Sequence, residues 1–187
     1  MPDDNFSPRP DIYFNVNQKE DAETGRDAEF REFVRNRGTP LKQSAYLLCG
    51  DRHLADDVVQ DTLIKAYQNW KRVRHADNPD AYVQRILINE VRGRWRRRER
   101  SVPVAEFATE PAIADHSEDV ARRDGLVQAL LALPLRQRAT VVLRYLEGRS
   151  ERETAVALSC SVGTVKSQSA RALKTLKSFF DRTGSVL

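Results

Sequence analysis

The chain has 187 residues, of which 31% are charged and only 7% are aromatic, and its formal net charge is +4. This length suits one domain or two small ones, and the composition favours small helical domains over a large enzyme core. The two cysteines, Cys49 and Cys160, lie far apart without metal-type spacing, so we expect small buried thiols in a reducing compartment. No apolar run reaches the roughly 20 residues of a membrane span, and the polar, acidic N-terminus does not resemble a signal peptide. We therefore expect a cytoplasmic protein with no membrane contact.

Charge is distributed unevenly along the chain. Residues 1–27 are mainly acidic, residues 71–100 are strongly basic, and residues 101–121 contain acids but no Lys or Arg. Such alternation is expected of a protein that meets nucleic acid with one part of its surface and a different partner with another.

The first 100 residues predict a tail followed by a helical domain. Residues 1–26 are polar and proline-containing without a sustained period, which predicts a disordered tail. A helical domain is predicted over residues 27–100. Its first helix places Phe30, Phe33 and Val34 on one face, and Gly38-Thr39-Pro40 is expected to interrupt that helix.

The second predicted helix, residues 54–70, has two different sides. Its core stripe consists of Val59, Leu63, Ala66, Tyr67 and Trp70. Its outer side combines acids with an exposed aliphatic side chain: Asp57, Gln60, Asp61 and Ile64. Acids alone are common on solvated helix faces. An exposed Ile among them favours a docking surface for a basic protein partner.

A basic connector, residues 71–77, leads into a third helix that Asn78-Pro79 is predicted to start. One face of this helix carries a continuous polar stripe: Arg85, Asn89, Arg92 and Arg96. Basic stripes are often only solvated, but this one is dense and lies beside Trp95, whose indole can stack on a base. The pattern therefore favours contact with nucleic acid.

Residues 101–122 contain two prolines, have no Lys or Arg before residue 122 and show no clear hydrophobic period. They therefore predict a flexible acidic linker. A second helical domain is predicted over residues 123–180, with one helix at about residues 136–146, and a short tail over residues 181–187. The predicted fold is therefore all-α, with two small helical domains joined by a flexible linker.

Residues 150–171 predict a helix-turn-helix in the C-terminal domain. Ser150 and Glu153 have the spacing of a capping box, and the segment 159–161 predicts a turn. The second helix has an apolar side with Val162, Val165, Ala172, Leu173 and Leu176. Its other side carries Thr164, Ser167, Arg171 and Lys174, flanked by Lys166 and Gln168, as suits a DNA major groove. Taken alone, the pattern also fits a helical hairpin with a solvated basic face.

Three stretches together resemble an extracytoplasmic-function (ECF) sigma factor of bacterial RNA polymerase, of the sigma-E-like subfamily. The segment LADDVVQDTLIKAYQNW resembles region 2.2, and DAYVQRILINEVRGRWRRR resembles regions 2.3 and 2.4. The segment ALPLRQRATVVLRYLEGRSERETAVALSCSVGTVKSQSARAL resembles region 4. Ser159 departs from the glycine that is frequent in this turn, which predicts a looser turn or a strained backbone.

The resemblance implies a role for each of three residue sets. The −35 element would contact Ser161, Gly163, Thr164, Lys166, Ser167, Gln168, Arg171 and Lys174. The −10 element and its melted non-template strand would contact Arg74, Arg85, Asn89, Arg92, Trp95, Arg96 and Arg97. Core RNA polymerase would contact Asp57, Val58, Val59, Gln60, Asp61 and Ile64. The implied partners are the clamp helices of the polymerase's largest subunit, its flap and double-stranded promoter DNA, with an anti-sigma factor as a further candidate.

Two other function classes compete with a sigma factor. A helix-turn-helix regulator acting without polymerase normally dimerises on paired half-sites, and the chain has neither a heptad dimerisation helix nor an evident ligand domain. An enzyme is disfavoured because no phosphate loop, metal cluster or His-centred nucleophile is present in the sequence. We therefore expect no catalytic residue, metal, cofactor or small-molecule substrate.

Overall fold

The computed structural model describes the backbone of residues 11–101 and 118–183, and the side chains of residues 25–97 and 124–183. Within these ranges the fold is all-α, as predicted. The helices in chain order are α1 (Asp11–Cys49), α2 (Arg52–Gln68), α3 (Trp70–Arg74), α4 (Pro79–Ser101), α5 (Glu118–Leu131), α6 (Leu135–Val141), a π-helical turn (Val142–Leu146), α7 (Glu151–Leu158) and α8 (Val162–Thr183).

The described part of the chain divides into two compact units, with the boundary between Gly38 and Thr39. Helix α1 begins at Asp11, inside the stretch predicted to be disordered, and it continues through Pro40, where we expected an interruption. In the first unit the rings of Phe30 and Phe33 stack with their centroids 6.5 Å apart. Residues 1–10 of the predicted tail lie outside the described part of the chain.

The second unit contains the core of helices α2 to α4. Val58, Ala66, Val83, Leu87 and Val91 are fully buried and fill the space between α2 and α4. The Asn78 side chain accepts a hydrogen bond of 2.9 Å from the Ala81 backbone amide, which is the predicted start of α4.

The basic stretch after α2 is partly helical, whereas the sequence predicted a connector. Helix α3 forms there because Trp70 and Val73 turn inward together and are 5% and 0% exposed. The basic residues of this turn, Lys71, Arg72 and Arg74, remain on the outside.

Helices α5 to α8 build the C-terminal half around Leu130, Leu143, Val165 and Ala172, all of which are buried. The helix predicted over residues 136–146 is one α-helix followed by a π-helical turn, closed by a 2.9 Å bond from the Glu147 amide to the Val142 carbonyl. The wider turn shifts the helical register, so Leu146 faces outward and is 43% exposed.

Arg138 of α6 is a buried side chain that joins the two halves of the second unit. It is 2% exposed, and its guanidinium donates hydrogen bonds to the carbonyls of Leu130 and Leu133 at 2.9 and 3.1 Å and to that of Leu48 in α1. Burial lowers the pKa of Arg138 to about 10, so the group is still charged at neutral pH.

The structure describes helix at both ends of the segment predicted as a linker. Helix α4 ends at Ser101 and helix α5 begins at Glu118, inside the range predicted as linker. Residues 102–117 lie outside the described part of the chain, so the prediction of a flexible linker stays a prediction there.

Two turn residues with positive φ allow a matched stability test. Gly148 has φ +67° with no atom within 4 Å of an added Cβ, and Ser159 has φ +50°. A side chain in this backbone region costs about 1–2 kcal/mol, so Gly148→Ala should lower the free energy of unfolding by about that amount. Ser159→Gly should raise it by up to about 1 kcal/mol, because the strain relieved exceeds the entropy that glycine adds. Urea denaturation followed by circular dichroism measures both, and destabilisation by Ser159→Gly would contradict the assignment of strain.

Candidate nucleic-acid and polymerase interfaces

The predicted helix-turn-helix is present in α7 and α8. The Ser150 hydroxyl accepts a 3.2 Å bond from the Glu153 amide, and the Glu153 carboxylate accepts a 2.8 Å bond from the Ser150 amide, which completes the capping box. The Ser150 hydroxyl also donates a 2.6 Å hydrogen bond to the Glu153 carboxylate, and this bond, together with the one from the Ser150 amide, lowers the pKa of Glu153. The turn passes through Ser159 in the left-handed region, and Ser161 then caps α8 by accepting a 3.1 Å bond from the Thr164 amide.

The outer face of α8 carries the polar residues predicted to contact the −35 element. Lys166, Ser167, Arg171 and Lys174 are exposed, while Val165 and Ala172 of the same helix are buried against the C-terminal core. Ser161, Gly163, Thr164 and Gln168 complete the predicted set at the N-terminal end and flank of this face.

Two details modify the predicted α8 pattern. Leu173 was assigned to the buried side, but it is 46% exposed because it lies between Arg171 and Lys174 on the outside of the helix. The Ser161 and Thr164 hydroxyls are 2.9 Å apart and bond each other, so they serve the helix cap as well as the surface.

The polar stripe on α4 is present as predicted. Arg85, Asn89 and Arg96 are exposed and Arg92 is half-buried, so these residues form a surface along one side of the helix. Arg74 and Arg97 are also exposed. The predicted −10 residues therefore lie together on α4 and α3, with one exception.

The exception is Trp95, whose ring does not lie open in the stripe. The Arg138 guanidinium carbon lies 5.2 Å from the centroid of the Trp95 ring, within the range of a cation–π contact. The indole Nε1 is buried and has no hydrogen-bond partner among the described residues. One face of the predicted stacking platform is therefore occupied by a side chain of the C-terminal half.

The acidic face of α2 matches the prediction at four of its positions. Asp57 and Gln60 are exposed, Asp61 is half-buried, and Ile64 is 48% exposed between them. Val58 and Val59 were predicted to contact polymerase but are 0% and 3% exposed, which corrects the set. The helical period places Val58 and Val59 on the buried side of α2 together with Thr62 and Ala66. There they pack in the core and support the helix that carries the acidic face.

The acids of this face are partly neutralised within the chain. Arg94 of α4 lies 2.6 Å from Asp61 and 3.4 Å from Asp57, and its own side chain is 24% exposed. Sequence reasoning missed Arg94 because it is one of many arginines in its helix, and only the packing of α4 on α2 distinguishes it.

Sequence reasoning also missed a partly buried polar cluster between the two halves of the unit. The Glu147 carboxylate accepts hydrogen bonds from the Ser44 hydroxyl at 2.7 Å and from the Gln84 amide at 3.1 Å, and pairs with Arg149 at 2.8 Å. No local sequence signal could have found these partners, because they come from α1, α4 and the turn before α7.

Comparison with known protein families gives two matches in chain order. A model of sigma-70 region 2 matches residues 33–101, and a model of sigma-70, region 4 matches residues 123–176. The chain is also 39% identical over 153 residues to the RNA polymerase sigma-E factor of Streptomyces coelicolor, covering 82% of this chain and 86% of that protein. The chain belongs to the sigma-70 family of RNA polymerase sigma factors.

Further relatives place this sigma factor among the ECF members. It is 32% identical over 143 residues to the ECF RNA polymerase sigma factor SigM of Mycobacterium tuberculosis, covering 76% of this chain and 72% of that one. Among solved structures, it is similar to the sigma factor RpoE in complex with the anti-sigma factor NepR from Bartonella quintana. The TM-score is 0.68 at 27% identity, covering 82% of this chain and 97% of that one. CnrH in complex with the cytosolic domain of CnrY gives a TM-score of 0.60 at 27% identity, with coverage of 87% and 94%.

Membrane-spanning helices and clustered metal ligands are both absent from the part of the chain that the structure describes. None of the helices in residues 11–101 and 118–183 combines the length and apolarity that a bilayer crossing requires. The same residues of the sigma factor include no group of three or more His, Cys, Asp or Glu side chains placed to bind a metal ion.

The two thiols should differ in reactivity. Burial raises the pKa of Cys49 to about 12, and burial raises the pKa of the half-buried Cys160 more weakly.

Because the thiolate is the nucleophile, Cys160 should react slowly with Ellman's reagent at pH 8 and Cys49 only after unfolding. Counting modified thiols by mass before and after addition of urea measures this, with Cys160→Ser as the control. Rapid native-state modification of both thiols would contradict the described packing of Cys49.

Proposed function

We propose that this sigma factor recognises a −35 element with α8, engages a −10 element with α4, and attaches to core polymerase through the acidic face of α2. The observation that carries the proposal is the placement of two basic surfaces and one acidic face with an exposed Ile64 on different helices of one chain. A protein that only bound DNA would have little use for the acidic face, which would repel phosphates.

The −35 assignment rests on the outer face of α8. This face presents the Ser167 hydroxyl, the Gln168 amide and the cationic groups of Lys166, Arg171 and Lys174. Such groups are short or mobile enough to reach base edges and phosphates in a major groove. The buried side of the helix, with Val165 and Ala172, fixes it on α7, so the exposed residues are presented from a rigid support.

The −10 assignment rests on the α4 stripe, supported by Arg74 and Arg97. Arginine guanidiniums can pair with phosphates and stack on unpaired bases, and Asn89 can read a base edge. Arg138 covers one face of the Trp95 ring, so a base would stack on the other face or displace Arg138. Bases of a melted non-template strand are the ligands that such a set accepts, because stacking offsets part of the cost of opening a duplex.

The polymerase assignment rests on Asp57, Gln60, Asp61 and Ile64. An apolar anchor surrounded by carboxylates suits a basic partner helix, and the family implies the clamp helices of the largest subunit. The flap of the polymerase is the second contact implied by the family. Because the similar sigma factor RpoE is in complex with the anti-sigma factor NepR, we include an anti-sigma protein among the proposed partners.

The protein acts in this proposal by binding alone, with no reaction of its own. It directs core polymerase to a promoter, supports strand opening, and then dissociates. Action as an independent helix-turn-helix regulator is the second candidate, favoured only by the exposed α8 face, and it would require duplex binding without polymerase.

The α8 assignment is tested by Lys166→Ala combined with Arg171→Ala. Each phosphate or base contact is worth about 1–3 kcal/mol, so transcription from a responsive promoter should fall at least about tenfold. Lys177→Ala with Arg182→Ala removes the same charge from the exposed C-terminal end of α8 and serves as the control. Run-off transcription with core enzyme is the measurement, and binding to core should be unchanged. An equal decrease in both double variants would contradict a specific role for this face.

The α2 assignment is tested by Gln60→Lys combined with Ile64→Lys, which leaves the Arg94 ion pairs intact. Two added cations facing a basic partner helix should weaken binding to core polymerase at least about tenfold, since close like charges cost several kcal/mol. Asn36→Lys with Gln128→Lys adds the same charge at exposed positions of α1 and α5. Fluorescence anisotropy of labelled protein titrated with core measures the affinity. If the control weakens binding equally, the effect is one of net charge and the assignment is wrong.

A further inference from the structure

We propose that Arg94 of α4 acts as an intrachain competitor on the acidic face of α2. Its guanidinium binds two carboxylates that a basic partner would use, and it thereby lowers the affinity of the chain for core polymerase. The inference rests on the proposed function of that face and deepens it, since it names the residue that sets how tightly the face binds.

Arg94 lies on the side of α4 that packs on α2. Leu87 and Val91 are fully buried there, and Arg94 is the next residue of the same stripe, three positions further along. The neighbouring arginines assigned to DNA point elsewhere, because Arg92 and Arg96 are each two residues from Arg94, about 200° around the helix axis. Packing alone would favour an apolar side chain at position 94, so the arginine there requires a different explanation.

The guanidinium of Arg94 bridges two carboxylates on the exposed side of α2. Its Nη2 lies 2.6 Å from Oδ2 of Asp61, and its Nη1 lies 3.4 Å from Oδ2 of Asp57. These two aspartates are four residues apart on one helix, where like charges repel each other, and a shared cation offsets that repulsion. A lysine or arginine of a partner protein would be attracted to the same two carboxylates for the same reason.

The bridged carboxylates stay accessible to a partner. The side chains of Asp57 and Asp61 are 62% and 40% exposed, whereas that of Arg94 is 24% exposed. Both contacts with Arg94 use Oδ2, so Oδ1 of each carboxylate can accept a hydrogen bond from outside. Arg94 therefore neutralises the face from its inner side without covering it, and a partner meets a net charge of −1 in place of −2.

The attraction of the two carboxylates is what keeps Arg94 in this position. Its Nε–H group is buried and has no hydrogen-bond partner among the described residues. A buried donor without an acceptor is destabilising, so the guanidinium stays only because Asp57 and Asp61 hold it. A partner cation that draws on these carboxylates weakens their hold on Arg94, which makes the competition mutual.

Arg94 also orients the two carboxylates, an effect that by itself would assist binding. Aspartate has only two side-chain torsions, so fixing it in advance saves little conformational entropy. The loss of attraction is the larger effect, because one cation halves the net charge of the pair at the short distances where charges interact most strongly. We therefore expect removal of the cation to strengthen binding.

Arg94→Met in the full chain tests this expectation. Methionine keeps an unbranched apolar stem that continues the stripe of Leu87 and Val91, and the exposed carboxylates of Asp57 and Asp61 stay hydrated. Affinity for core RNA polymerase, measured by fluorescence anisotropy in about 0.1 M salt, should rise about threefold to fivefold, as expected for the loss of one competing surface ion pair. An affinity equal to or below that of the native chain would overturn the proposal.

Lys42→Met is the matched control. Lys42 of α1 lies 2.9 Å from Asp56, an acid of α2 outside the four-residue face, so this variant also removes one cation that pairs with α2. A gain from Arg94→Met no larger than that from Lys42→Met would show an effect of net charge and would overturn the proposal. In a background of Asp57→Asn with Asp61→Asn, Arg94→Met should bring no gain, and a gain that persists there would have the same consequence.

Salt dependence distinguishes competition between charges from a change in folding. Raising the salt concentration to about 0.4 M shortens the screening length from about 10 Å to about 5 Å. The gain from Arg94→Met should therefore shrink at the higher concentration. A gain of the same size at both concentrations would contradict competition by charge.

Arg94→Lys covers the case in which Arg94→Met does not fold. A single ammonium group cannot bridge both carboxylates in the way a guanidinium does, so this variant should bind core more tightly than the native chain. Unchanged or weaker binding would mean that the guanidinium does not compete, and the proposal would fail.

The proposed function of the face fails in a different way. If Gln60→Lys with Ile64→Lys leaves core binding unchanged, the face is not the polymerase contact, and the role of Arg94 falls with it. If that double variant weakens binding while Arg94→Met does not strengthen it, the face binds polymerase and only the competitor role is wrong.

Discussion

The buried guanidinium of Arg138 is the interaction on which the arrangement of the second unit depends. Its hydrogen bonds satisfy the carbonyls that end α5 and reach the end of α1, so one side chain closes the C-terminus of two helices from different parts of the sequence. Hydrogen bonds to a charged group each contribute about 1.5–3 kcal/mol, and removal of this donor would take a charged partner from the carbonyls of Leu48, Leu130 and Leu133 at once. Burial lowers the pKa of Arg138, but a value of about 10 keeps it protonated at neutral pH, so the charge that organises these carbonyls is always present.

This constraint connects packing with promoter recognition. Arg138 covers one face of Trp95, and Glu147 of the C-terminal half accepts hydrogen bonds from Ser44 and Gln84. The residues that hold the unit together therefore lie next to those proposed to bind the −10 element. The outer face of α8 and the acidic face of α2 are free of this constraint and stay exposed.

The features that sequence reasoning predicted correctly are those with local causes. The capping box of Ser150 and Glu153, the strained turn at Ser159 and the arginine stripe of α4 depend on neighbours a few residues away. The errors have non-local or register-dependent causes. Val58 and Val59 are buried because α4 packs on α2, and Leu173 was assigned to the apolar side of α8 but is 46% exposed. The roles of Arg138 and Glu147 could not be predicted, since their partners are distant in sequence and neither residue stands out among the chain's many charges.

Transcription directed by the purified protein is the most direct test of the central claim, that the chain is a promoter-specificity subunit working through core polymerase. Core enzyme would be incubated with the full chain on a library of genomic fragments, and the 5′ ends of the transcripts would be sequenced. We predict initiation at a limited set of sites that share two upstream elements, and none with core alone. Absence of specific initiation, together with tight duplex binding by the chain without core, would contradict the account and favour an independent DNA-binding regulator.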